Sequence, residues 1–185
     1  MQRDTIASDI SKITLHLSLS VKLMPKEYKS LKQALVAAID VCSKFTFAKN
    51  AKHGVKLKNV NEIDLSLLIC GKQKIRSLNK SWRQKDYATD VLSFPVHDDL
   101  RDSPFGLPPE LELGDMFICH QVAQSQSKEY KVTYEQEIVH LFIHGYLHLL
   151  GFDHEISKSE EKIMQGHEQA LVKKAYDKIG WGKNG

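Results

Sequence analysis

Between Ile13 and Val21 the chain alternates strictly, with Ile13, Leu15, Leu17, Leu19 and Val21 on one side and Thr14, His16, Ser18 and Ser20 on the other. A period of two belongs to a strand with one buried face. The period then changes. Pro25 opens a helix, where its missing N–H costs nothing, and Leu31, Leu35, Ala38, Ile39 and Cys42 recur at helical spacing over 26–48. Asn59-Val60-Asn61 reads as a turn, and Ile63 to Cys70 as a second, more apolar and more central strand. Ile75, Leu78 and Trp82 mark a short helix ending near Arg83, and Val91 to Phe94 a brief strand stopped by Pro95.

Residues 96–111 carry three prolines and several acids and predict a loop, followed by a strand over Leu113 to Ile118 and a helix from about His120 to Lys128. Thr133 with Gln136 makes a capping box for a helix that is apolar almost all round, which predicts burial. Ser157 with Glu160 caps a last helix that runs to about Lys178 and stops at Gly180. The order β-α-β-α-β-β-α-α-α predicts an α+β fold, a small mixed sheet of about four strands covered by helices. With 185 residues, the chain is expected to be a single domain over 1–185.

Composition adds limits rather than identity. Hydrophobic residues at 42% and charged residues at 26% are ordinary for a globular protein. No apolar run is long enough to span a membrane. The N-terminal residues Arg3, Asp4, Asp9 and Lys12 exclude a signal peptide, and Cys42, Cys70 and Cys119 are odd in number and flanked by apolar residues. They read as buried thiols of a reducing cytoplasm, with Cys119 the one that might neighbour a site. The net charge of +3 hides an asymmetry. Residues 22–85 hold 15 basic and 4 acidic side chains, a net of +11, whereas 86–115 hold 1 basic and 8 acidic, a net of −7. The basic segment suits a phosphate-bearing partner, or is the solvated face of helix 26–48.

The buried helix carries the chemistry. His144 and His148 are four residues apart and share one helical face. A third ligand one turn further would stand roughly 5–6 Å along the axis, too far for one ion. Gly151 allows the left-handed backbone that ends a helix, so His154 can fold back toward the pair. We therefore expect His144, His148 and His154 to be metal ligands around one Zn2+, with a fourth position open to water as in catalytic zinc sites. Imidazoles also suit nickel, copper or iron. His140 extends the stripe by a turn and is left as a neighbour, a second-shell or proton-transfer candidate. An HExxH peptidase would place glutamate where Gly145 stands, so that class is disfavoured.

The segment His144-Gly-Tyr-Leu-His148-Leu-Leu-Gly151-Phe-Asp153-His154 resembles the H-G-x-L-H-L-x-G-Y-D-H signature of the YbeY family of rRNA maturation endoribonucleases. Two further segments agree: Leu78-Asn79-Lys-Ser-Trp-Arg83 through Thr89-Asp90-Val91-Leu92-Ser93-Phe94-Pro95, and Leu113-Gly114-Asp115. The likeness covers roughly residues 60–155, with Phe152 and Trp82 where tyrosines are usual and Ala88 where proline is.

That resemblance implies a single-strand-specific, metal-dependent endoribonuclease that matures the 3′ end of 16S rRNA and serves ribosome quality control, with RNA and the small ribosomal subunit as partners. It implies that the three histidines hold zinc and that Arg83 is essential. A guanidinium is a planar clamp for the charge that builds on a cleaved phosphodiester, which fits a catalytic Arg83. Asp153 either orients an imidazole or caps the turn. Thr89, Asp90 and Ser93 are expected to shape the cleft. Two rivals remain at this level: a zinc hydrolase of amides or esters, and a non-catalytic ribosome-associated factor with a structural metal.

Overall fold

The computed structural model describes residues 1–7, 11–48, 55, 57, 59–98, 100–101 and 106–181. Lys49, Lys52, Lys56 and Lys58 of the basic segment, and part of the loop expected over 96–111, lie outside the described residues.

Ten elements follow in order: β1 (Gln2–Ile6), β2 (Ile13–Leu19), α1 (Pro25–Thr46), β3 (Glu62–Cys70), α2 (Lys72–Arg83), β4 (Val91–Pro95), β5 (Glu110–Cys119), α3 (His120–Glu129), α4 (Tyr134–Leu149) and α5 (Lys158–Ile179). The sheet order is β1-β2-β3-β5-β4, with β2, β3 and β5 parallel and the two outer strands antiparallel. The α+β reading with a buried histidine helix holds. The sheet has five strands rather than about four, because β1 was not anticipated. Its sequence QRDTI buries only Ile6, so no alternation announces it. Pairing with β2 makes it a strand, and Asp4 ties it to α1 through Lys32 Nζ and Tyr28 Oη, each at 2.7 Å.

The inward residues of β2 and β3 and the apolar faces of α1, α4 and α5 form the main core. A smaller cluster on the other face packs Ile75 and Leu78 of α2 against Cys70, Leu92, Phe117 and Cys119. Helix α4 crosses β4 and β5 and also contacts α1, α3 and α5. Burial all round explains its apolar composition. Two contacts set how closely these layers approach. Gly114 lies in a bulge of β5 with φ +139°, and a Cβ there would stand 2.2 Å from the Phe94 carbonyl oxygen. Gly145 lies against the sheet, where a Cβ would stand 2.8 Å from both Met116 Cε and Ser93 Oγ. Strand β4 is therefore pressed between β5 and α4, with its other edge outside the sheet. Among the described residues, no helix is long and apolar enough to cross a membrane.

Candidate metal centre and cleft

Helix α4 begins with the predicted capping box: Gln136 N–H donates to Thr133 Oγ1 at 3.2 Å, and Thr133 N–H to Gln136 Oε1 at 2.8 Å. Its end is the predicted reversal. Gly151 has φ +94°, its N–H donates to the His148 carbonyl at 2.9 Å, and Phe152 N–H reaches back to Leu147 at 3.1 Å. These are the paired bonds of a left-handed C-cap. Phe152 then seals the turn, buried against Phe45 and His167 and covered by Arg101 at 4.9 Å. Asp153 takes the turn-capping role, accepting Glu155 N–H at 2.8 Å.

His154 is thereby returned to the helical pair. Ring centroids are 4.7 Å apart for His144–His148, 5.3 Å for His144–His154 and 5.1 Å for His148–His154. One nitrogen from each ring lies within 4.8 Å of the others, the only such group of three among the described residues. The tautomers favour a cation. His144 Nδ1 donates to Glu168 Oε2 at 2.7 Å, which leaves its Nε2 as an acceptor. That Nε2 faces His148 Nε2 at 3.1 Å, and the His148 ring also bonds the Phe152 backbone. Two imidazole nitrogens at that distance repel unless a positive centre lies between them. A proton is a poor candidate, because burial, then His144 and His154, push the His148 pKa down to about 4. A divalent ion fits the donor set.

Glu168 was not found in the sequence reading. It lies on α5, with nothing in local spacing to link it to the motif. It supplies the carboxylate–histidine–metal arrangement that fixes a ligand's tautomer. Burial pushes its pKa up, but hydrogen bonds from His140 and His144 outweigh this and hold it at about 2. His140 does not join the three rings. Its Nε2 donates to Glu168 Oε1 at 2.9 Å, and Glu137 Oε1 lies 3.7 Å from its Nδ1. Glu137 and Glu168 together push the His140 pKa up to about 10, so the ring is a cation between two carboxylates.

Two depressions meet at the histidines. The larger, about 770 Å³, is lined by all three, by Thr89 to Pro95, and by Arg83 from the far end of α2. The smaller, about 290 Å³, holds His140, Glu137 and Glu168 on its wall and shares His144 and His154 with the first. Arg83 is half-exposed and touches only Glu155 there, at 3.4 Å. Thr89, Asp90 and Ser93 shape the larger cleft as expected. Asp90 braces it by accepting Val91 N–H, Thr89 Oγ1–H and Gln126 Nε2–H at 2.8–3.0 Å. Asp115 is exposed on β5, and Cys119 lies buried in the smaller core away from both depressions.

Comparison with known proteins agrees with this geometry. The family model described as Endoribonuclease YbeY matches residues 27–176. The Endoribonuclease YbeY of Staphylococcus aureus (strain bovine RF122 / ET3-1) is 39% identical over 127 residues, 68% of this chain and 78% of that protein. The protein of the same name from Sulfurihydrogenibium sp. (strain YO3AOP1) is 40% identical over 121 residues, covering 65% and 73%. A solution structure from Thermotoga maritima, 22% identical, shares the fold with a TM-score of 0.54 over 91% of this chain and 93% of that one. One matched span that runs from α1 into α5 and contains Arg83 and all three histidines is enough: the chain belongs to the YbeY endoribonuclease family.

Proposed function

We propose that this protein is a single-strand-specific, metal-dependent endoribonuclease of the cytoplasm that matures the 3′ end of 16S rRNA on the small ribosomal subunit and contributes to ribosome quality control. The observation that carries the reading is the cleft in which three convergent imidazoles and Arg83 line one space. His144, His148 and His154 would hold one Zn2+, the ion that three nitrogen donors suit. Such an ion supplies Lewis-acid activation of water or of the scissile phosphate. Glu168 keeps His144 in the ligating tautomer, and the His140 cation keeps Glu168 ionised. Arg83 is free to exchange its long, exposed contact with Glu155 for a phosphate, and its two parallel donors match the non-bridging oxygens where charge develops. Gly145 supports the choice of reaction, because the glutamate base of an HExxH peptidase has no room against Met116 and Ser93.

The test compares single-stranded RNA, duplex RNA, peptides and esters, with His148→Ala and Arg83→Ala purified in parallel. We expect metal-dependent cutting of the single strand alone. His148→Ala loses the ion and the activity; Arg83→Ala keeps the ion and loses about 100-fold or more in kcat. Full zinc content in His148→Ala overturns the ligand set, parental rates in Arg83→Ala remove its role, and ester or peptide turnover without RNA turnover replaces the substrate class.

A further inference from the structure

The cleft has a second wall that the metal chemistry does not use. Trp82 is 71% exposed and Tyr87 55% exposed, and both line the same depression as the three histidines. Neither ring is loose. Trp82 stands edge-on to Phe94 at 5.8 Å, and Phe94 edge-on to Phe117 at 5.6 Å, so a row of rings backs it from the core. The turn that carries Tyr87 is pinned from the helix. Gln84 is left-handed at φ +59°, Lys85 N–H donates to the Asn79 carbonyl at 3.2 Å, and the buried Asn79 side chain donates to the Tyr87 carbonyl at 2.9 Å. Asp86 accepts from Arg76 at 2.8 Å and Lys80 at 2.9 Å, closing the turn from the other side. Rigid, water-facing aromatic rings have been placed beside Arg83 and Lys85, on a helix with five basic residues and no acidic one.

We infer that Trp82 and Tyr87 form a base-stacking subsite for unpaired nucleotides next to the scissile phosphate, and that this subsite makes the cleft selective for single strands. The inference deepens the RNA-cleaving reading and rests on it. Aromatic faces together with a cationic track are the combination that holds single-stranded nucleic acid with little regard to sequence. An unpaired base offers its π face to Trp82. A base inside a duplex has both faces covered by its neighbours and offers none. Arg83 and Lys85, next to the rings in the chain, take the phosphates between stacked bases. The commitment to RNA over a protein partner comes from this charge: an apolar anchor for a protein would not need it.

The full-length, metal-loaded protein with Trp181→Phe leaves Trp82 as the single tryptophan fluorophore. It is titrated with a 12-nucleotide oligodeoxyadenylate, with an abasic strand of equal length and charge, and with duplex DNA. Quenching and at least about 5-fold tighter binding by the base-bearing strand are expected, with neither for the duplex. In cleavage of single-stranded RNA, Trp82→Ala should raise KM about 5- to 100-fold with kcat little changed, and Trp82→Tyr should restore most of the loss. Equal affinity for the abasic and base-bearing strands, or an unchanged KM in Trp82→Ala, overturns the subsite. If the parent cuts no RNA, the enzymatic reading fails separately and the fluorescence titration still decides whether bases stack there.

Discussion

Glu168 and Gly145 divide between them what one glutamate does in an HExxH site. The position after the first histidine packs on the sheet and admits no side chain, while the carboxylate comes from another helix, at 2.7 Å from His144. Removing only its charge isolates this function. Glu168→Gln should fold normally and bind the metal about 10- to 100-fold more weakly, read by competition with a chelator. Unchanged affinity would reduce Glu168 to a packing residue. The histidines were legible because a helix period and one glycine are local properties. Glu168 was not, since its approach depends on how α5 lies against α4. The even choice for Asp153 was settled by a single hydrogen bond, to Glu155 N–H.

At the scale of elements, the C-terminus of α4 decides whether the third imidazole arrives. Gly151 is left-handed at φ +94°, a conformation costing an L residue roughly 1–2 kcal/mol and a β-branched one more. Gly151→Val should therefore lower Tm and weaken metal binding together, because His154 moves with the turn. Gly166→Ala in α5, where an added methyl meets nothing within 4 Å, should leave metal binding intact and raise stability by about 0.5–1 kcal/mol. A Gly151→Val protein with parental metal affinity would show that His154 does not need this turn. Most element boundaries followed from pattern alone: the helix ending at Ile179 with Gly180 behind it, the capping box at Thr133, and the brief strand closing at Pro95. Strand β5 begins at Glu110, inside the segment read as loop, and β1 was missed. Both errors have one cause: polar strand residues at the ends and edge of a sheet acquire their conformation from a partner, which sequence periodicity does not contain.

For the whole molecule, the site depends on α4 being clamped between the sheet and two other helices. Tyr146 carries much of that clamp. It is fully buried, two residues from a metal-ligand candidate, and its hydroxyl meets Thr46 Oγ1 of α1 at 2.6 Å. Burial pushes its pKa well above the usual phenol range, so it stays neutral. Tyr146→Phe strands a buried hydroxyl on Thr46 and should cost about 1–3 kcal/mol in chemical denaturation with metal affinity unchanged. A loss of metal affinity at full stability would instead give this contact a part in positioning the histidines.

The amino-acid order by itself determined the helix that bears the histidines, the point where it must end and the ligand spacing, because each is set by backbone geometry over fewer than a dozen residues. It also determined the family. Only the tertiary structure decided that Glu168 orients His144, that the space behind Gly145 is closed, and that Arg83, Trp82 and Tyr87 share a cleft with the metal candidates. Those residues are brought together by the sheet order and by helices packed on both of its faces. Arg83 and Glu155 stand 72 positions apart in the chain and 3.4 Å apart in space. Contacts of that kind are fixed by burial of a common core, which local periodicity announces but does not arrange.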